Sequence, residues 1–191
     1  SADTSWAGQF ETILNVGRDN LIDAIYECWR SASSDIVKGY AEHNQVSEDK
    51  LALAVVVQQM IASDVAGVAF CKNPVTGDEH EIMIEACWGL GEMLVQGMVT
   101  PDNYIINKTD LSIKARQVST QDKKLVSTES GTAEVDVDAD EKGEQKLSDD
   151  KIKELSELVM KIEQHYGSPQ DIEWALANDK LYILQSRPIT A

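Results

Sequence analysis

The feature that most constrains the fold is a C-terminal pair of strand-like runs joined by a tight turn. The runs are Asp171–Ala175 and Leu181–Gln185, and between them stand Asn178, Asp179 and Lys180. Asn and Asp favour tight turns, and residues that alternate in polarity on either side of such a turn are typical of a β-hairpin. The sequence therefore predicts an antiparallel strand pair at residues 171–185.

The register of this hairpin decides which side chains meet. A three-residue loop would set Glu173 opposite Gln185 and Asp171 opposite Arg187, with all four polar groups on one face. A two-residue loop in a regular ladder would instead place Gln185 opposite Ile172, on the other face, because side chains alternate along a strand. We expect the three-residue loop.

The four polar groups suit phosphoryl chemistry. Carboxylate and carboxamide oxygens are ligands that Mg²⁺ accepts, and a guanidinium neutralises phosphate charge. Glu173, Gln185 and Arg187 supply these groups. From spacing alone, a hairpin with one solvated polar face is the alternative, and an ion pair with Arg187 would equally explain Asp171.

The rest of the chain predicts an α+β fold with a mainly antiparallel sheet flanked by helices. Apolar residues at helical spacing indicate two helices between Asn20 and Tyr40, and a longer helix capped by Ser148 that ends at Tyr166, just before Gly167. Short apolar runs bounded by turn residues indicate further strands, at Leu51–Met60, Gly67–Phe70, Glu81–Glu85 and Asn103–Asn107. The charged stretch Ser127–Asp150 predicts a long exposed loop with one edge strand at most.

Composition narrows the partners. The 191 residues are 42% hydrophobic, and 33 acidic against 17 basic side chains give a formal net charge of −16. That charge would repel nucleic acid and anionic membranes, so we expect neither as a partner. A nucleotide would also be repelled at long range, so its binding needs local donors or a divalent cation. Three widely spaced cysteines and the absence of a signal-like or membrane-spanning segment predict a cytoplasmic setting.

Five ordered motifs carry a family resemblance: Trp6–Asn15, Val55–Met60, Gly67–Phe70 with Asn73–Gly77, Glu85–Glu92, and Asp171–Trp174 with Leu184–Pro188. Together they resemble the nucleotide-binding domain of phosphoenolpyruvate synthase (pyruvate, water dikinase), pyruvate phosphate dikinase and rifampicin phosphotransferase. Any one of these motifs alone would be weak. The resemblance implies an ATP-grasp fold, in which ATP lies between two α+β subdomains.

The resemblance also implies roles for individual positions. Gly8 and Thr12 match a loop that approaches the phosphates, although the same residues read as a simple turn on their own. Gln58 matches the residue at the adenine edge, and the backbone of Gln59 and Met60 matches the hinge that reads the base; a strand-end amide is the alternative. Glu173 and Gln185 match ligands of Mg²⁺, and Arg187 matches a phosphate-binding arginine. Asp171 is a further carboxylate near the metal.

The resemblance finally implies a domain organisation. Residues 1–50 would form a helical lead-in with the phosphate-loop segment, and residues 51–191 the ATP-grasp nucleotide-binding subdomain. The fold would be incomplete on its N-terminal side, where relatives supply a lysine and an arginine. The phosphohistidine domain and the domain that binds pyruvate and phosphoenolpyruvate would be its partners. We expect the isolated chain to be inactive; a rifampicin phosphotransferase-like origin, or a non-catalytic module that retains the fold, is the alternative.

Overall fold

The computed structural model describes residues 10–43, 53–129 and 131–189, with the side chains of residues 36 and 40–42 left aside. The chain divides into two compact units. The first comprises Ser1–Met60 with Thr128–Thr132, and the second comprises Ile61–Ser127 with Ala133–Ala191. Each is described by itself.

The first unit contains the two predicted helices. After a 3₁₀ turn at Arg18–Asn20, helix α1 spans Leu21–Ser31 and helix α2 spans Asp35–His43. Three serine and alanine residues between them, Ala32 to Ser34, continue as hydrogen-bonded turns. The helix prediction for residues 20–40 is therefore confirmed, with a break that sequence periodicity also indicated.

The strand predicted over Leu51–Met60 is wrong for residues 53–60, which have no regular secondary structure. Val56 and Val57 are 80% and 61% exposed there, although a strand buried on both faces would have covered them. A strand requires a neighbour that completes its backbone hydrogen bonds, and none of the described strands pairs with this segment. Apolar composition alone did not reveal this. Residues 51 and 52 lie outside the described residues.

The second unit is built on a six-stranded sheet in which every pair of neighbours is antiparallel. The strand order is β4-β3-β2-β1-β7-β8, so the C-terminal hairpin lies beside β1. A one-turn helix α3, Glu92–Val95, follows β2. The strands of the sheet are β1 (Val65–Phe70), β2 (Glu81–Trp88), β3 (Asp102–Asn107), β4 (Ile113–Gln117), β7 (Gln170–Ala177) and β8 (Lys180–Pro188).

Helix α4, Asp149–Tyr166, covers one face of this sheet. Ser148 caps its first turn by accepting a hydrogen bond from the Lys151 backbone N–H, and Gly167 ends it in the left-handed conformation with φ 68°. Both ends match the sequence prediction. The buried core between helix and sheet includes Ile152, Leu155, Val159, Ile82, Ile84, Tyr104, Ile172 and Trp174. This packing leaves the opposite face of the sheet for the polar side chains.

The charged region after β4 is more ordered than its composition predicts. Strands β5 (Lys123–Thr128) and β6 (Gly131–Asp136) form a separate two-stranded sheet, with an ion pair of 2.9 Å between Lys123 and Asp136. Further along, Lys146 is fully buried and pairs with buried Asp102 at 2.9 Å. The prediction of a long exposed loop with one edge strand over residues 127–150 is therefore confirmed in part, because β6 is that strand and most of the other residues are exposed. Buried Val137, Lys146 and Leu147, which anchor the segment, were not predicted.

Gly67 on β1 allows the sheet to close tightly. A Cβ at this position would lie 1.9 Å from the Glu85 carbonyl oxygen and 2.9 Å from the Trp174 ring. No rotation of a side chain relieves a clash with backbone. Only glycine therefore lets β1 hold Glu85 of β2 and Glu173 of β7 at their observed spacing.

In the described parts of the chain, no helix is both long and apolar enough to cross a membrane.

Candidate functional site

The hairpin turn differs from the sequence prediction. Ala177 pairs with Lys180, so the loop contains two residues, Asn178 and Asp179, and not three. Both have positive φ, 49° and 61°, which is the conformation that a tight hairpin turn requires and that Asn and Asp tolerate best. The predicted three-residue loop is wrong.

A β-bulge nevertheless restores the predicted pairing. Trp174 pairs with Ile183, and the next pair is Glu173 with Gln185, so Leu184 is an extra residue on β8. In a regular ladder without the bulge, Gln185 would lie opposite Ile172, on the same face as Ile183 and towards α4. The bulge turns the end of β8 over, as bulges do. The apolar half of β8 thus faces the core and its polar half faces the opposite side.

The two expected cross-strand pairs form. Gln185 Nε2 donates to Glu173 Oε1 over 3.3 Å. Arg187 donates to Asp171 Oδ2 from Nε at 2.8 Å and lies within 2.7 Å of the same oxygen through Nη2. A carboxylate beside a carboxamide and a carboxylate beside a guanidinium therefore lie in adjacent rows of one face.

Asp171 is engaged on one side only. Its side chain is 13% exposed, and while Oδ2 is held by Arg187, the buried Oδ1 has no hydrogen-bond partner. A structural ion pair alone would account for Oδ2. The second oxygen is an anionic acceptor with its desolvation uncompensated. A bound cation or donor at this face would satisfy it.

Glu173 is held in an environment that disfavours its charge. Partial burial raises the pKa of its carboxyl above the ordinary value of 4.5; Arg187 opposes this shift, and Asp171 adds to it. A carboxylate left unstable in this way gains from any cation that binds it. The same burial would be unexplained on a merely solvated polar face.

Comparison with known proteins identifies the family of this chain. Residues 1–191 match the family described as pyruvate phosphate dikinase, AMP/ATP-binding domain. The chain belongs to this family. It is 43% identical over 190 residues to a probable phosphoenolpyruvate synthase of Methanocaldococcus jannaschii and 44% identical over 199 residues to the phosphoenolpyruvate synthase of Pyrococcus furiosus. It is also 39% identical over 189 residues to an uncharacterized phosphotransferase of Bacillus subtilis.

Each alignment covers nearly the whole chain, 97% to 98%, but the chain spans only 16%, 24% and 22% of these three relatives. The α+β architecture, with its mainly antiparallel sheet, is consistent with an ATP-grasp-like AMP/ATP-binding domain. The family resemblance inferred from the five motifs is confirmed.

The other positions that the sequence resemblance predicts at the nucleotide lie in the first unit. Gly8 is outside the described residues, and Thr12 is exposed. Gln58 and Gln59 are exposed and Met60 is half-buried, all in the irregular segment 53–60. Side chains that project freely are available to a ligand, but their roles at the phosphates and the base stay predictions.

The donor set of the hairpin fits Mg²⁺. Glu173 and Gln185 offer neighbouring oxygen ligands, and Asp171 Oδ1 is an unpartnered acceptor in the next row. Gln185 would turn its amide so that Oε1, and not Nε2, faces the metal, a half-rotation that amides make readily. No group of three or more His, Cys, Asp and Glu side chains in the described ranges is arranged as a metal site. Mg²⁺ commonly takes one or two protein carboxylates and completes its shell with phosphates and water.

Sequence reasoning missed one polar pair on the same face. Glu85 on β2 lies opposite both Val68 of β1 and Asn103 of β3, and the Asn103 amide can donate to its carboxylate. Partial burial raises the pKa of the Glu85 carboxyl, while Asn103 lowers it and Asp171 raises it further. The signal was present in the sequence, because Glu85 is a charged residue within an apolar strand. Only the sheet order places it beside the hairpin.

Proposed function

We propose that this chain is the nucleotide-binding part of a phosphoenolpyruvate synthase-like dikinase, in which ATP phosphorylates a histidine on a separate domain on the way to pyruvate. The observation that carries the proposal is the pairing of Glu173 with Gln185 and of Asp171 with Arg187 on one sheet face. The family membership and the names of the relatives support it.

Each residue of the hairpin has a distinct task in this proposal. Glu173 and Gln185 hold Mg²⁺, which neutralises phosphate charge when bound, and Asp171 is a further carboxylate beside it. Arg187, 39% exposed in its side chain, can reach a phosphate while Asp171 fixes its orientation. Gly8 and Thr12 approach the phosphates, and Gln58, Gln59 and Met60 contact the adenine. Catalysis of this kind is positioning combined with charge stabilisation.

Mg²⁺ would also reduce the electrostatic repulsion between the negatively charged chain and the nucleotide. With a formal net charge of −16, the protein repels a free nucleotide at long range. A Mg-bound nucleotide carries less negative charge, so we propose that only the complex binds well. The three cysteines are free thiols, two of them buried, and fit a reducing, cytoplasmic setting.

Calorimetric titration with Mg-ATP tests this function. We expect weak binding and no steady turnover by the isolated 191-residue chain, because the histidine acceptor would lie on another domain. Glu173→Ala and Gln185→Ala should each remove the binding without unfolding the chain. Micromolar binding combined with steady ATP hydrolysis would refute the proposed inactivity.

Two alternatives keep the same fold. A rifampicin phosphotransferase-like enzyme would use the same ATP site with another acceptor, and the identity of the acceptor would distinguish it. A non-catalytic module would retain the sheet without nucleotide chemistry. In that case Mg-ATP affinity would be the same in the wild type, Glu173→Ala and Gln185→Ala, whereas the burial of Glu173 and the unpartnered Asp171 Oδ1 favour a ligand.

A further inference from the structure

Two carboxylate–carboxamide pairs flank strand β1 on the polar face of the sheet. Val68 lies opposite Glu173 of β7 on one side and opposite Glu85 of β2 on the other. Beyond them follow Gln185 and Asn103, so one row reads Asn103, Glu85, Val68, Glu173, Gln185. The two glutamates are two strand spacings apart, about 10 Å between Cα atoms. The hairpin pair is assigned above, whereas the second pair has no role.

We propose that Glu85, oriented by Asn103, accepts a hydrogen bond from an N–H of the group that receives the phosphoryl from the nucleotide. The proposal rests on the proposed function, since it places the acceptor across Val68 from the phosphates at Glu173, Gln185 and Arg187. It makes Glu85 a contact of the acceptor and Asn103 a positioning residue.

The chemistry of Glu85 selects this partner. A carboxylate accepts hydrogen bonds and repels phosphate oxygens, so it does not hold the triphosphate directly. The Asn103 amide lies opposite Glu85 on the next strand and can donate to one of its oxygens. The half-buried carboxyl keeps the capacity to accept a further hydrogen bond.

The charges around Glu85 further restrict the chemical class of the acceptor. In the two neighbouring rows of this face that hold Glu85 and Asp171, three carboxylates, Glu85, Asp171 and Glu173, stand against one guanidinium, Arg187. An anionic acceptor, such as a carboxylic acid, would be repelled at the position of Glu85. A neutral imidazole with one N–H would be attracted, because its developing positive charge meets a carboxylate.

The transfer step balances with these groups. The lone pair of one imidazole nitrogen forms the N–P bond, and the P–O bond to the leaving phosphate group breaks with its electron pair on that oxygen. The other ring nitrogen keeps its proton, which is hydrogen-bonded to Glu85. The ring becomes cationic, and the Glu85 carboxylate offsets that charge without taking the proton. No redox partner is needed.

The test uses the whole 191-residue chain saturated with Mg-ADP, with imidazole as the probe and 1-methylimidazole as its matched control. At about pH 8.5 both probes are neutral, and only imidazole carries an N–H. Ligand-observed NMR titration measures their dissociation constants. We expect the wild type to prefer imidazole by about tenfold, the size of one hydrogen bond to a charged group. Glu85→Gln should reduce that preference to about threefold or less, because a neutral amide oxygen is a weaker acceptor than a carboxylate, and should leave Mg-ADP affinity unchanged.

Exposed Glu79→Gln, which removes the same charge from a position before β2, is the matched variant and should keep the preference. Asn103→Leu should reduce the preference without removing it. An equal affinity for both probes in the wild type, or no imidazole binding at all, overturns the inference, as does a preference in Glu85→Gln that is as large as in the wild type. Failure of Mg-ADP to bind would instead contradict the proposed function, so the two failures are distinct.

Discussion

At the residue scale, the ionised carboxylate of Glu173 lowers the stability of the folded protein. Burial raises its pKa, so the folded protein binds the Glu173 proton more tightly than the unfolded chain does. The resulting stability is therefore present at low pH and is lost as the pH rises through the folded pKa, which lies above 4.5. At neutral pH the carboxylate costs stability, and a ligand that compensates its charge recovers that cost.

Glu173→Gln should therefore raise Tm at pH 7.5 by a small amount and at the same time lower Mg-ATP affinity. Below about pH 4 the difference in Tm should vanish, because a protonated Glu and a Gln are both neutral there. Thermal unfolding at several pH values and calorimetry measure the two effects. Exposed Glu157 on α4 supplies the control, Glu157→Gln, which should change neither. A lower Tm for Glu173→Gln at pH 7.5 would contradict the destabilising role of the carboxylate.

Gly67 makes a second residue-scale prediction. Gly67→Ala should destabilise the protein strongly, by about 2–4 kcal/mol, because the new Cβ overlaps the backbone of β2 and relief requires the strands to move apart. Chemical denaturation gives the free energy of unfolding. Gly143→Ala, at a position where a Cβ would meet nothing within 4 Å, is the control and should have little effect. A tolerated Gly67→Ala would mean that the spacing of β1, β2 and β7 is not fixed by close contact.

At the scale of elements, the sequence predicted those features that depend only on residues close together in the chain, such as helix caps and turns. Helix α4 was predicted with both ends, because Ser148 and Gly167 are its caps, and the hairpin was predicted from its turn residues. The bulge at Leu184 was not, because it exists to reconcile the two faces of β8 with the rest of the sheet. The position of Glu85 and the buried pair Lys146–Asp102 were not predicted for the same reason, because their partners come from distant parts of the chain.

Deleting Leu184 tests the role of the bulge. The two-residue turn would then continue into a regular ladder in which Gln185 still lies opposite Glu173 and Arg187 opposite Asp171. We expect Mg-ATP affinity close to the wild type. Inserting one alanine after Leu184, with the bulge at Leu184 retained, moves Gln185 opposite Ile172 instead, and should weaken binding about tenfold or more. Calorimetry compares the two variants, with circular dichroism to show that both fold. Equal binding by both variants would rule out register as the determinant of the site.

At the scale of the whole molecule, the net charge of −16 governs how a nucleotide arrives. In the proposed function, Arg187 and the metal ligands attract Mg-ATP locally, whereas the net charge of the molecule repels it. Screening weakens the long-range term first, since the Debye length falls from about 30 Å at 0.01 M to about 10 Å at 0.1 M salt. The association rate of Mg-ATP should therefore increase with salt over this range, opposite to the usual behaviour of nucleotide sites in basic proteins. Stopped-flow binding at fixed Mg²⁺ measures this association rate.

Replacing exposed Asp138 and Asp140 by Asn removes two negative charges from the loop after β6. This double substitution should raise the association rate at low salt and flatten its salt dependence. A rate that falls as salt is added would show that the local cations, and not the global charge, control the encounter.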